Sequence, residues 1–153
     1  MRFMFPAGFI FMFEYVMKNY MDRTLAPGIQ HTLAKGRIIL KKHYNKGSAG
    51  NFLSSRPGCI RRIHAAALAA VSAGLLWMLP KKHAALAKTG LSFLAGGGLS
   101  NLHDRLRHGH VIDYVSFGFG PQRFRRLVFN LADLFIFAGI FLCTAQVFVK
   151  EEQ

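Results

Sequence analysis

The sequence predicts an all-α membrane protein, a single domain (1–153) of four transmembrane helices joined by loops that can include short strands. Of its 153 residues, 52% are apolar, and these are clustered in four long runs instead of being spread evenly. A helix needs roughly 17–25 residues to cross a bilayer, and each run falls within that length. We therefore expect spans at approximately 3–20, 63–79, 84–102 and 127–149.

The first run is interrupted by two charged residues, Glu14 and Lys18. Because they are four residues apart, they can pair on one face of a helix. A cleaved signal peptide is the alternative, since Arg2 followed by Phe3–Phe13 has the charged and apolar regions of such a segment. No small-x-small cleavage site follows, so the sequence favours a first membrane span.

The loops are expected to alternate between the two sides of the membrane. Four spans put the termini on one side and the loops 22–62 and 103–126 on the other. Within the first loop, Ile38–Leu40 is a predicted strand and 41–51 is a turn-rich segment. The third span ends in three consecutive glycines, 96–98, and small residues of this kind let transmembrane helices pack closely.

The formal charge of +13 is concentrated in these two loops, where 22–62 holds nine Lys or Arg residues and 103–126 holds five. Because the cations flank membrane spans, we expect them to contact anionic lipid headgroups and not nucleic acid.

Two carboxylates, Asp113 and Asp133, bracket a basic loop, and Asp133 lies six residues inside the last apolar run. A carboxylate at membrane depth costs roughly 2.5–3.5 kcal/mol on insertion scales, so its presence indicates a function. Two neighbouring buried carboxylates share one proton over a wide pH range. The ionised member can take a proton from water while the protonated member polarises a carbonyl. This is the chemistry of aspartic proteolysis, which needs no metal or cofactor.

Polar residues near these aspartates have helical spacing. Asn101, Asp104 and Arg105 stand at i, i+3 and i+4, so they share one face if the third helix continues that far. Asn130 and Asp133 share a face of the fourth helix by the same rule. Both faces lie toward the side of the basic loops.

Three short blocks of the sequence, Gly96–Arg105, Val111–Tyr114 and Phe129–Asp133, resemble those of the lipoprotein signal peptidase (signal peptidase II) family. That family has Gly-Gly-Ala-Leu-Gly-Asn-x-x-Asp-Arg, Val-x-Asp-Phe and Phe-Asn-x-Ala-Asp, in this order. Gly96–Asn101 followed by Asp104 and Arg105 resembles the first block with two small-residue exchanges, and Val111–Tyr114 resembles the second with Tyr for Phe. Phe129–Asp133 matches the third block in full.

The resemblance implies a four-helix intramembrane aspartic protease, monomeric, that cuts the signal peptide from prolipoproteins just before a cysteine modified with diacylglyceryl. Its catalytic pair corresponds to Asp113 and Asp133 here. The supporting residues that would orient this pair and the substrate backbone are Asn101, Asp104, Arg105 and Asn130. Asp104 is expected to be a structural member, paired with Arg105 or another cation.

The amino-terminal half resembles the family less closely. The family has an Asp-x-x-Thr-Lys motif at the end of the first span, for which Asp22-Arg-Thr24 offers the acid but no following lysine. Its Asn-x-Gly-Ala-Ala-Phe-Gly segment resembles 45–49, with different residues after that. The resemblance therefore implies substrate-binding roles for Asp22 and Asn45.

The charge distribution and the resemblance disagree about orientation. The positive-inside rule counts Lys and Arg in short loops, and the side of the predicted site holds 14 of the 20 such residues. That count alone puts the site in the cytoplasm. The resemblance implies a multi-pass protein of the inner (plasma) membrane with its site toward the extracytoplasmic face. We expect the second arrangement, because Lys81 and Lys82 in a tight turn can anchor the opposite side.

Two further classes of function remain open. A metal-dependent membrane hydrolase would use His103, His108 and His110 near the aspartates, although their spacing matches no common helical pattern such as H-E-x-x-H. A catalytically inactive homologue would bind lipopeptides without cutting them. Retention of both aspartates argues against that alternative, because an inactive relative has no reason to keep a costly buried carboxylate.

Overall fold

The structure, a computed structural model, describes residues 2–47 and 56–151. The elements in chain order are α1 (Phe5–Thr24), β1 (Gln30–Leu33), β2 (Ile38–Asn45), α2 (Pro57–Met78), α3 (Ala85–Arg107), β3 (Val111–Phe117), α4 (Gln122–Arg125) and α5 (Leu131–Glu151). The fold is therefore mostly helical with a small antiparallel sheet, and the short strands that the sequence allowed in the loops form this sheet.

The long helices differ from the expected spans at their ends. α2 begins at Pro57 instead of 63, because proline in the first turn lacks only an N–H that would have no helical partner. α3 continues past 102 to Arg107, two residues before Gly109, which takes a φ of +75°. α5 begins later than 127, because Phe129 pairs with Val115 of β3.

Two helices, α2 and α5, are long and apolar enough within the described residues to cross a membrane, over Pro57–Met78 and Leu131–Val149. α1 and α3 differ from them in carrying buried charged side chains. Glu14 and Lys18 of α1 and Asp104 and Arg105 of α3 are each at most 5% exposed. The charges that lower the hydropathy of these two helices therefore face the protein interior.

The sheet has the order β1-β2-β3 with antiparallel neighbours. β2 extends the predicted strand at Ile38–Leu40 as far as Asn45, so residues 41–45 form a strand and not the expected turns; positions 48–51 lie outside the described residues. An irregularity between Leu40 and His43 shifts the register and sets His43 opposite Asp113. The chain between α1 and α2 is thereby folded against the strand that carries Asp113.

α3 lies at the centre of the helices and packs against α1, α2 and α5. Its glycines permit a close approach, because a Cβ on Gly90 would lie 2.6 Å from the carbonyl oxygen of Gly139 in α5. A Cβ on Gly97 would lie 2.6 Å from the carbonyl oxygen of Ala132 and 2.8 Å from Cγ1 of Ile136. A Cβ on Gly96 would likewise lie 2.7 Å from the carbonyl oxygen of Ala7, so Gly96 and Gly97 have the packing role that the sequence predicts for glycines 96–98.

We expect Gly97→Ala to destabilise the protein, because the added methyl group meets backbone and cannot be accommodated without separating α3 from α5. Overpacking of this kind typically costs about 1–3 kcal/mol, so the melting temperature in detergent should fall. Gly98→Ala is the matched control, since the nearest atom to its Cβ is Cδ1 of Leu68 at 3.6 Å. Equal melting temperatures for the two variants would contradict this account of the interface.

Candidate active site

The two aspartates that the sequence pairs, Asp113 and Asp133, line one open cleft of about 370 Å³. Asp113 lies in β3 and is 1% exposed, whereas Asp133 lies in the first turn of α5. The other polar side chains along this cleft are His43, Asn45, His64, Asn101, Arg105 and Arg126. Strand and helix thus each contribute one carboxylate to a shared space.

Asn130 connects the two aspartates. Its side-chain Nδ2 donates a hydrogen bond of 2.7 Å to Oδ1 of Asp113. Its backbone N–H donates to Oδ2 of Asp133 at 3.2 Å, and its Oδ1 accepts from the backbone N–H of Asp133 at 3.0 Å. This reciprocal pair is a capping box, in which the residue before a helix and the third helical residue satisfy each other's N–H groups.

The capping box corrects two sequence-based expectations. Asn130 stands immediately before α5 and caps it, so it does not share a helical face with Asp133. Asp133 is the third residue of the helix, so it lies at the helix end and not six residues inside a span. The apolar residues from Leu127 to Phe129 that suggested the deeper position belong to the chain leading into α5.

Asn101 of α3 holds Asp133 from the other side. Its Nδ2 donates to Oδ1 of Asp133 at 2.8 Å, and its Oδ1 accepts from Nδ2 of Asn130 at 3.2 Å. Oδ1 of Asn101 also accepts from Nζ of Lys18 at 2.9 Å. Lys18 forms its ion pair with Asp104, at 3.0 Å, and not with Glu14 as the helical spacing suggested.

Asn45, at the end of β2, completes the partners of the pair. Its Nδ2 donates to Oδ2 of Asp113 at 3.0 Å. All four carboxylate oxygens of the pair therefore accept a hydrogen bond from a neutral amide. The two donors to Asp113 are side-chain amides, whereas Asp133 accepts from one side-chain amide and one backbone N–H. Amides fix the positions of the oxygens without neutralising either carboxylate, so the charge of the pair depends on its own proton.

Burial raises the pKa of Asp113 to about 7, and the negative charge of Asp133 adds to this rise. The hydrogen bonds from Asn45 and Asn130 act in the opposite direction but are outweighed. Asp113 therefore retains a proton at pH values where an ordinary aspartate is ionised.

Arg105 and Asp104 have different positions although they are adjacent in sequence. Arg105 lines the cleft and donates through Nη2 to the carbonyl oxygen of Gly47 at 2.7 Å. Asp104 accepts from the backbone N–H of Ile112 at 3.2 Å as well as pairing with Lys18. Asp104 thus ties the start of β3 to α1.

Asp22 is not brought to this cleft. Its carboxylate accepts a hydrogen bond of 2.7 Å from the hydroxyl of Tyr44 and pairs with Lys42 at 3.3 Å. These contacts join the end of α1 to β2. Of the eight residues predicted for the site, Asp22 is the one that the structure separates from the aspartates and their partners.

Glu14 of α1 is a site residue that the sequence reasoning missed. It is fully buried, and its Oε1 accepts from the backbone N–H of Ala132 and, at 3.0 Å, from the hydroxyl of Tyr114. Ala132 and Tyr114 adjoin Asp133 and Asp113 in sequence. The signal was available, because Glu14 and Lys18 have the spacing of the acid and the lysine in Asp-x-x-Thr-Lys.

Together, three side chains cap the first three N–H groups of α5. The N–H of Leu131 donates to the hydroxyl of Tyr114 at 3.4 Å, that of Ala132 to Glu14 at 2.6 Å, and that of Asp133 to Asn130 at 3.0 Å. These N–H groups have no partner within the helix itself. Burial raises the pKa of the Tyr114 hydroxyl above its ordinary value. The hydroxyl therefore keeps its proton and donates it in the hydrogen bond to Glu14.

The histidines considered as metal ligands contact different partners, although the rings of His108 and His110 lie 5.9 Å apart. His103 contacts the rings of Phe11 and Tyr15, with centroids 5.7 and 5.6 Å away. The ring of His110 lies 4.3 Å from that of Tyr44. Over residues 2–47 and 56–151, no group of three or more His, Cys, Asp or Glu side chains is arranged to hold a metal ion.

The sequence of this chain is similar to those of known proteins. A family model described as signal peptidase (SPase) II matches residues 7–149. The lipoprotein signal peptidase of Burkholderia cenocepacia is 34% identical over 135 residues, which cover 87% of this chain and 79% of that protein. The lipoprotein signal peptidase of Chromobacterium violaceum is 30% identical over 145 residues, covering 94% of this chain and 89% of that protein.

The fold is also similar to that of a solved bacterial membrane enzyme. The two superpose with a TM-score of 0.84 at 23% identity, over 98% of this chain and 89% of the other. The arrangement of helices and sheet is thus that of a known membrane enzyme.

We expect Glu14→Ala to destabilise the amino terminus of α5, because it leaves the N–H of Ala132 and the hydroxyl of Tyr114 without an acceptor. An unsatisfied buried polar group costs about 1–3 kcal/mol, so the melting temperature in detergent should fall clearly. Glu14→Gln is the matched control, since its amide oxygen can still accept both bonds, and its loss should be smaller. Alanine and glutamine variants of equal stability would contradict the capping role.

Proposed function

Because the chain belongs to the signal peptidase II family, we propose that it is an intramembrane aspartic endopeptidase that removes the signal peptide from diacylglyceryl-modified prolipoproteins. The observation that supports this most directly is the pair Asp113 and Asp133, linked through Asn130 at one open cleft. The proposal requires no cofactor or metal and treats the protein as a monomer.

In the proposed reaction, Asp133 acts first as the base and Asp113 as the acid. Asp133 is assigned as the base because the N–H groups of Asn101 and Asn130 and the amino terminus of α5 stabilise a negative charge on its carboxylate. Asp113 is the protonated member, since burial raises its pKa to about 7. Asp133 takes a proton from water as the oxygen attacks the scissile carbonyl, and Asp113 donates its proton to the carbonyl oxygen.

The tetrahedral intermediate then collapses with the proton transfers reversed. Asp133 gives its acquired proton to the leaving nitrogen as the carbon–nitrogen bond breaks. Asp113 recovers a proton from one hydroxyl of the intermediate, and the pair returns to its starting state. Asn45, Asn101 and Asn130 hold the carboxylates throughout, and Arg105 lines the same cleft.

The cleft is suited to a substrate embedded in lipid. Its apolar wall includes Leu127, Val128, Ile136 and Phe137, and Phe137 is 55% exposed. An acyl chain can reach this wall from the bilayer without crossing water.

We propose that all four long helices span the inner membrane within one domain, with the cleft toward the extracytoplasmic face. Charged side chains of α1 and α3 then have partners inside the protein, since Lys18 pairs with Asp104 and Glu14 accepts from the N–H of Ala132.

We expect Asp113→Asn and Asp133→Asn each to reduce the cleavage of a diacylglyceryl-modified prolipoprotein peptide by at least about 100-fold, the scale of a lost acid–base group. Peptide products are measured with the purified protein in detergent, with and without a chelator. Asp22→Asn is the matched control, and its rate should stay close to that of the unchanged protein because Asp22 contacts Tyr44 and Lys42 outside the cleft.

Other results of this experiment would favour the alternatives. Undiminished cleavage by either aspartate variant removes the pair from the mechanism. Loss of cleavage with a chelator supports a metal-dependent hydrolase, and lipopeptide binding without cleavage by the unchanged protein supports an inactive homologue.

We expect kcat/KM to fall as the pH rises through about 7, because burial raises the pKa of Asp113 to about 7 and its ionised form cannot donate a proton. The free energy of unfolding should also fall as the pH rises. The folded protein binds this proton more tightly than the unfolded chain, so the contribution of Asp113 is lost as the pH rises from its ordinary pKa toward 7. Rates and melting temperatures are measured over the same pH series. A rate that continues to increase well above neutral pH would overturn the assignment of Asp113 as the acid.

A further inference from the structure

A second depression adjoins the cleft on the face of the sheet. It has a volume of about 390 Å³ and is lined by Lys41 of β2, by Arg125 and Arg126 at α4, and by Gln30 and Gln122, over a floor of Ile39 and Phe117. We call this the basic groove. Arg126 also lines the cleft that contains the aspartates, so the two depressions share a wall.

The basic groove is held in place by the sheet. Gln30 and Lys41 are directly opposite each other on β1 and β2. α4 is fastened to β3, because the hydroxyl of Ser116 donates to the carbonyl oxygen of Arg125 at 3.0 Å and the ring of Phe124 stacks on that of Phe117 at 5.6 Å. The three cations therefore project from a fixed framework.

No carboxylate of the described chain neutralises these cations. Between residues 2–47 and 56–151, the ion pairs within 4.0 Å join Lys18 and His103 to Asp104, and Lys42 to Asp22. The sequence has no Asp or Glu at 23–103 or at 114–132. Cations that converge without an internal partner favour an anion supplied from outside the protein.

The position of the basic groove indicates that this anion belongs to a lipid headgroup. Arg125 and Arg126 precede Leu131, the first residue of a helix apolar enough to cross a membrane, by six and five residues. Phe119 and Leu127, on either side of α4, are 54% and 37% exposed. Cations beside exposed apolar side chains at the end of a span are typical of the level of the lipid headgroups.

We propose that the basic groove binds the phosphate of an anionic phospholipid headgroup beside the mouth of the cleft. The lipid on the proposed substrate is a different group, because a diacylglyceryl thioether carries no phosphate and no charge. The groove therefore holds a resident lipid next to the site and does not recognise the substrate. This inference concerns binding alone and stands apart from the proposed protease activity.

The test is native mass spectrometry of the full-length protein in detergent, titrated with phosphatidylglycerol or with phosphatidylcholine. We expect one phosphatidylglycerol to bind in preference to phosphatidylcholine. Lys41→Gln combined with Arg125→Gln should weaken that binding about 30-fold, as expected for two basic contacts with an anionic lipid. Arg23→Gln combined with Lys35→Gln removes the same charge from exposed positions outside the groove and should leave the affinity nearly unchanged.

Three outcomes would overturn the proposal. Equal binding of the two lipids would exclude a headgroup-charge site, and equal losses in the two double variants would reduce the effect to overall charge. Displacement of the lipid by inorganic phosphate at matched concentration would identify a site for free anions. Unchanged melting temperatures of both double variants would show that a loss of lipid binding does not result from unfolding. None of these measurements depends on proteolytic activity.

Discussion

The hydrogen bonds of Asn130 are the interaction on which the rest of the site depends. One side chain and one backbone N–H join the carboxylate on β3 to the carboxylate on α5 and also begin the helix. A capping box normally serves only to satisfy the end of a helix. Here its acidic member is one of the two aspartates, so the local rule that starts α5 also orients Asp133. Any change in where α5 begins therefore changes the geometry of the pair.

Different groups around the pair hold the carboxylates in place and influence their charge. Neutral amides hold the carboxylate oxygens in place, while the cations Lys18 and Arg105 stand beyond them. A lysine directly on Asp113 would favour the ionised form and oppose the effect of burial on its pKa. Lys18 instead pairs with Asp104. The amide shell thus preserves a carboxyl group that can hold a proton near neutral pH.

α1 contributes more to the site than its apolar character indicates. Glu14 caps α5, Lys18 supports Asn101 and Asp104, and both are almost completely buried. Buried charges are costly unless paired and hydrogen-bonded. Lys18 has both kinds of partner on α3, and Glu14 accepts hydrogen bonds from Tyr114 and Ala132. The same charges explain why α1 lacks the hydropathy of α2 and α5, since it is a helix whose polar groups serve the protein interior.

The sequence alone predicted the four long helices within about six residues, the meeting of Asp113 and Asp133 at one site, and the family whose model matches residues 7–149. These features follow from local information, namely apolar run length, helical spacing and three short blocks. It also located Asn101, Asp104, Arg105 and Asn130 beside the pair. All four residues belong to the three blocks, so the blocks indicated them although their partners are distant in sequence; Asn101, for example, contacts Asp133 across 32 positions.

Only the tertiary structure decided the sheet, the partner of Lys18, the role of Glu14 and the separation of Asp22 from the cleft. Glu14 meets Ala132 across 118 positions and Asn45 meets Asp113 across 68. Pairings at such separations depend on how strands register and helices cross, and no periodicity within one segment records them. Asp22 and Glu14 are both acids on one helix, and the packing of α1 against α3 and α5 selects which of them reaches the site.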